Sequence, residues 1–104
     1  MKKQQLSNQT KIIAEIVVER QKQDEKWGEQ NHNLIEWSAI LTEECGEVAK
    51  EALEYHFYTK KNKASSDSFV WKKEKLVKYR TELIQVAAVA LAMLESLDRN
   101  ELSE

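Results

Sequence analysis

"ELIQVAAVALAML", residues 82–94, is apolar after its first residue except at Gln85. It holds no glycine, no proline and no strand-like alternation, so it reads as the core of a helix that is hydrophobic on every side. Its most apolar run, 86–94, is far too short to cross a bilayer. A helix of this kind is normally covered all round. The chain has 104 residues, enough for one small domain spanning 1–104, and the rest of it cannot easily supply that cover. The expectation is therefore an all-α protein: a small bundle of three or more helices completed by homo-oligomerisation, as a dimer or tetramer. The alternative is a monomer, because Ala87, Ala88, Ala90 and Ala92 are small enough to tolerate exposure.

Working outward, zero Pro and two Gly leave few breaks and favour long helices. The periodicity extends this helix over about 69 to 98, and the last few residues of the chain are expected to fray. A first helix is expected over about 8 to 22, where Ile12, Ile13, Ile16 and Val17 repeat at three and four. "DEKWGEQNHN", 24–33, has no periodicity and reads as a loop. Asn33 followed by Glu36 is a capping signal for a second helix over about 34 to 57. Its apolar stripe is Leu34, Trp37, Leu41, Val48 and Ala52, with Ile40, Cys45 and Tyr55 at the flanks. Cys45 on that flank reads as inert packing. "TKKNKASSDS", 59–68, is a polar connector.

Cys45 is the lone cysteine, which excludes an intrachain disulfide and points to a reducing, cytoplasmic setting. The polar N-terminus carries no signal core, and a membrane partner is not expected. Nucleic acid is not expected either, since the net charge is −2 and no DNA-reading motif occurs.

The second helix crowds Glu43, Glu44 and Glu47 into little more than one turn. At about 100° per residue Glu47 falls between the other two, so the three share one arc. Like charges at this spacing repel. Glu44 also borders Trp37, Leu41 and Val48, where a carboxylate must be paired, protonated or bound to a cation. Lys50 is the only Lys or Arg between 34 and 59. A hard divalent cation such as Mg²⁺ would resolve the conflict, because it takes carboxylate oxygens and is completed by waters and phosphates. A solvated acidic face is the plainer alternative. Glu82 and Gln85, one turn apart at the start of the apolar helix, also demand partners. Antiparallel packing of the second and third helices would bring them opposite Glu44 and Glu47. The alternative there is a structural hydrogen-bond network.

"EECGE" at 43–47 followed by "ELIQ" at 82–85 resembles the two-part signature of the MazG-like all-α nucleoside-triphosphate pyrophosphohydrolases, E-E-x-x-E and then E-x-x-D. "DEKWGEQNH" resembles the loop that precedes the acidic helix in that family. The resemblance implies hydrolysis of a (d)NTP to the monophosphate and pyrophosphate. It implies Glu44, Glu47 and Glu82 as ligands of Mg²⁺, with Mn²⁺ as a substitute. Glu43 would be a further ligand or the group that orients the attacking water, which makes Glu43 and Glu47 the catalytic candidates. Gln85 stands where the family has Asp, so one negative charge is missing; its amide oxygen can still serve as a ligand.

Eight of the sixteen Lys and Arg residues lie between 60 and 80. Such a patch can attract a triphosphate, and Lys78 and Arg80, within a turn of Glu82, are the phosphate candidates. Trp27 can stack on a base, and His32 or Gln30 can bond its edge. A non-catalytic alternative accompanies the enzyme reading: a nucleotide sensor or a helical interaction module that keeps the fold.

Overall fold

The computed structural model describes residues 3–61 and 66–103. It forms three helices, α1 (Lys3–Trp27), α2 (Leu34–Lys61) and α3 (Ser66–Leu97), and a π-helical turn at Asp98–Leu102. No strand occurs among the described residues.

α1 runs past its apolar stretch at both ends, so Trp27 closes a helix instead of sitting in a loop. Gln, Glu and Lys sustain a helix without any apolar periodicity, and Arg20 adds an ion pair to Asp24 at 2.7 Å. Gly28 ends it. With φ at +73° it adopts the left-handed conformation, and its N–H donates to the carbonyl of Asp24 at 2.7 Å. The loop is thereby reduced to 28–33. α2 begins as its sequence indicates. The Glu36 N–H donates to Asn33 Oδ1 at 2.8 Å, and the Asn33 N–H donates to Glu36 Oε1 at 3.0 Å, a reciprocal cap. The connector expected over 59–68 narrows, since α2 reaches Lys61 and α3 starts at Ser66; its centre, 62–65, lies outside the described residues.

Arg99 donates to the Gln30 carbonyl at 3.2 Å and to Asn31 Oδ1 at 2.8 Å, and Asn100 donates to the same oxygen at 2.8 Å. These bonds tie the turn after α3 to the α1–α2 loop.

α3 is the central element. α2 packs antiparallel to it, with Ala88, Val89, Ala92 and Trp37 buried at the seam. Alanines at 88 and 92 let the two backbones approach closely. At one end of the seam Trp37 Nε1 donates to Ser96 Oγ at 3.2 Å. At the other, Lys75 Nζ lies 2.7 Å from a carboxylate oxygen of the buried Glu51 and also contacts Glu54. α1 lies on α3 and runs in the same direction as it, held by Arg80 to Glu15 and by Arg20 to Glu95 at 2.6 Å. α1 and α2 do not pack on each other.

That arrangement leaves the molecule open. Its radius of gyration is 17.2 Å, against about 13 Å for a compact chain of this length. Its accessible surface is 8062 Å², against about 6,100 Å² for a compact monomer of this mass. Leu34 of the expected α2 stripe is 61% exposed, and Ile12, Ile13 and Val17 of the α1 face are exposed as well. Cys45 is exposed, which corrects its assignment to a buried flank: it stands off the face of α2 that carries the buried Trp37 and Glu51.

Candidate functional site

Because α1 and α2 flank α3 without touching, a cleft of about 580 Å³ opens between them. Val89 and Ala92 of α3 form its floor, with Trp37 of α2. Four residues singled out in the sequence meet there from four segments: Trp27 ends α1, Gln30 comes from the loop, Glu44 from α2 and Gln85 from α3. α1 adds Glu19, Lys22, Gln23 and Lys26.

Antiparallel α2 and α3 set Glu44 near enough to Glu82 for the two charges to interact. The Glu44 carboxyl is held above its usual range, first by partial burial and then by the negative charges of Glu82, Glu43, Glu47 and Glu19. Glu82 is raised in the same sense by burial and then by Glu47 and Glu51, with Lys50 opposing. Glu43 and Glu47 are exposed, whereas Glu44, Glu82 and Gln85 are half-buried. Glu43, Glu44, Glu47 and Glu82 are thus electrostatic neighbours, and of this group Glu44 alone lines the cleft, together with Gln85. Among the described residues no three His, Cys, Asp or Glu side chains close into a ready-made metal cage. The donor set still suits a hard cation: it is oxygen-only, and it carries a like-charge repulsion that a divalent ion would relieve.

Other candidates go elsewhere. His32 does not reach this cleft. Its ring meets Trp37 edge to face at 4.8 Å, and it lines a separate apolar groove of about 350 Å³ beside Leu34, Leu94 and Leu97. Trp37 borders both cavities, and His32 Nε2 is buried there without a hydrogen-bond partner. Arg80 is turned to α1, where its guanidinium grips both carboxylate oxygens of Glu15. Lys78 lines a third groove with Phe69 and Val77. Neither basic residue lines the cleft.

Of the α1 residues of the cleft, Trp27 alone is singled out by the sequence; Glu19, Lys22, Gln23 and Lys26 are not. Their signal was present, since 19, 22, 23, 26 and 27 recur at three and four on one helix face. It was hidden because α1 was ended at about 22, where apolar periodicity stops.

Comparison with protein-family models, with curated proteins and with solved structures finds no match to this chain. No helix among the described residues is long and apolar enough to cross a membrane.

Proposed function

We propose that this chain is a Mg²⁺-dependent nucleoside triphosphate pyrophosphohydrolase of the MazG-like kind, which converts a (d)NTP to (d)NMP and pyrophosphate. One observation carries the reading: half-buried Glu44, crowded by Glu82, Glu43 and Glu47, stands in a cleft that also holds Trp27 and Gln30. Glu44, Glu47 and Glu82 would hold the ion, with the Gln85 amide oxygen as a neutral fourth donor. When bound, Mg²⁺ supplies charge neutralisation on the phosphate oxygens and a lower pKa for a coordinated water. The chain's own residues do the rest. Glu43 or Glu47, both exposed, accepts the proton of the attacking water as it adds to phosphorus, and pyrophosphate leaves. Trp27 stacks on the base and Gln30 bonds its edge, which orients the phosphoryl group for in-line attack.

The test is pyrophosphate release from the eight common NTPs and dNTPs with Mg²⁺ or Mn²⁺. Turnover of at least one, reduced at least 100-fold by Glu47→Gln, is the expected result. No turnover of any, with either ion, would overturn the enzyme reading. Gln85 favours a second reading, since the missing charge weakens the ion's grip: a nucleotide sensor, recognised by metal-dependent binding without turnover.

The working unit in this proposal is a homo-oligomer. The surface in excess of a compact monomer is about 2,000 Å² per chain, or about 4,000 Å² for a pair, within the range that an obligate dimer buries. The exposed apolar faces of α1 and α3 are the surfaces a second copy would cover. An exposed free Cys45 suits the reducing cytoplasm.

A further inference from the structure

The proposed reaction needs cations to hold a triphosphate, and neither Lys78 nor Arg80, the two expected from the sequence, lines the cleft. Arg80 is held by Glu15, Lys75 by Glu51 and Glu54, and Arg20 by Asp24 and Glu95. Lys78 faces a different groove. The basic side chains that line the cleft are Lys22 and Lys26, one turn apart on α1. No carboxylate pairs with either among the described residues.

Their order along the helix is informative. On the face of α1 that borders the cleft the charged and aromatic residues are Glu19, Lys22, Lys26 and Trp27, with the neutral Gln23 among them. A helix rises 1.5 Å per residue, so this series spans about 12 Å. Glu19 marks the acidic end, lining the same cleft as Glu44. Trp27 marks the loop end, with the Lys26 ammonium 4.8 Å from its ring centre. Acid, cation, cation, aromatic is the sequence of partners that an ion-bound phosphate chain, its remaining phosphates and a nucleobase would require.

We propose that Lys22 and Lys26 form the phosphate-binding wall of the cleft, and that a nucleoside triphosphate lies along α1 with its base at Trp27 and its ion-bound phosphates beside Glu19 and Glu44. This rests on the nucleotide reading above. It gives α1 a role in substrate binding and removes that role from Lys78 and Arg80.

The test uses the full chain with Mg²⁺ and the α,β-methylene triphosphates of the four common deoxynucleosides and four ribonucleosides, with the corresponding nucleosides as phosphate-free probes, all measured by calorimetry. A charge-assisted contact to phosphate is worth about 1.4 kcal/mol or more, which is a tenfold change in Kd. Lys22→Gln and Lys26→Gln should each weaken the best triphosphate about tenfold and leave its nucleoside within twofold. Lys22→Arg and Lys26→Arg should retain most of the affinity, and Lys78→Gln should change nothing. Gln sustains an exposed helix as well as Lys does, so the fold should survive, with an unchanged helical circular dichroism spectrum as the check. If triphosphates bind but both Gln variants stay within twofold of the parent, the lysine assignment is wrong and the function stands. If the loss falls on Lys78→Gln instead, the assignment is equally wrong. Should no triphosphate bind the parent chain at all, the assignment and the nucleotide reading fall together.

Discussion

Glu44 is the residue where fold and chemistry conflict most. Its carboxylate is half-buried and surrounded by four others, so its ionised form costs the metal-free protein stability. Glu44→Gln should therefore raise the stability of the apo protein by roughly 0.5 kcal/mol, read as a Tm increase of a few degrees. Mg²⁺ should raise the Tm of the parent, because a ligand that binds only the folded state stabilises it. The same addition should leave Glu44→Gln almost unmoved. An equal Mg²⁺ shift in both proteins would show that Glu44 is not a ligand. Gln85 tests the other side of the cleft. Gln85→Asp restores a negative charge beside Glu44, and Mg²⁺ affinity by titration calorimetry should tighten about tenfold; unchanged affinity would place Gln85 outside the ion's reach. At this scale the sequence was most informative about side chains that share an element. Glu43, Glu44 and Glu47 had to share an arc because helix geometry puts them there. His32 was not legible in the same way. Its position depends on the ring of Trp37, five residues away, and on which cavity that ring closes.

At the scale of elements, α2 and α3 are clasped at both ends by polar contacts, and the cleft depends on the register these fix. Lys75 is the centre of one clasp. Hydrogen bonds to Glu51 and then Glu54 hold its ammonium above the usual lysine range, while the bond from Lys75 holds the Glu54 carboxyl below the usual carboxylate range. The signs give opposite limits. The lysine's contribution is fully present below pH 10.5 and is lost as pH rises through its elevated value. The contribution of Glu54 is present above pH 4.5 and is lost as pH falls through its depressed value. Lys75→Met keeps the stem but strands the buried Glu51, so urea unfolding at pH 7 should show a loss of roughly 2 kcal/mol. The gap between parent and variant should narrow as the pH drops below 4.5, and a gap independent of pH would deny the clasp its electrostatic role. The start of α2 was written in Asn33 and Glu36, because a cap is a local bond between near neighbours. The end of α1 was not evident from periodicity, since "DEKW" continues a helix by propensity alone until Gly28 turns the chain. Lys26 and Trp27 moved from loop to helix with it, which is why the α1 wall of the cleft went unseen.

The whole molecule is larger in surface and radius than a compact chain of its mass, and large apolar side chains such as Ile13 and Leu94 remain exposed. A particle of two or four chains, about twice or four times 12.2 kDa by light scattering, is the expected outcome. A monomer at micromolar concentration would mean that the open form is itself the stable one. The all-round apolar character of 82–94 already pointed to covering by a second copy. Exposure in the folded chain adds where that cover is missing, namely on α1 and along the outer edges of α2 and α3.

Helix content, the capped start of α2 and the acidic arc on α2 followed from the sequence, because each rests on periodicity or on bonds between residues a few positions apart. The approach of Glu82 to Glu44, the separation of α1 from α2 that opens the cleft, the diversion of Arg80 and His32, and the placing of Lys22 and Lys26 were decided by tertiary packing. They depend on which face of each helix meets α3, and so on contacts between side chains as many as 75 residues apart, such as Arg20 and Glu95.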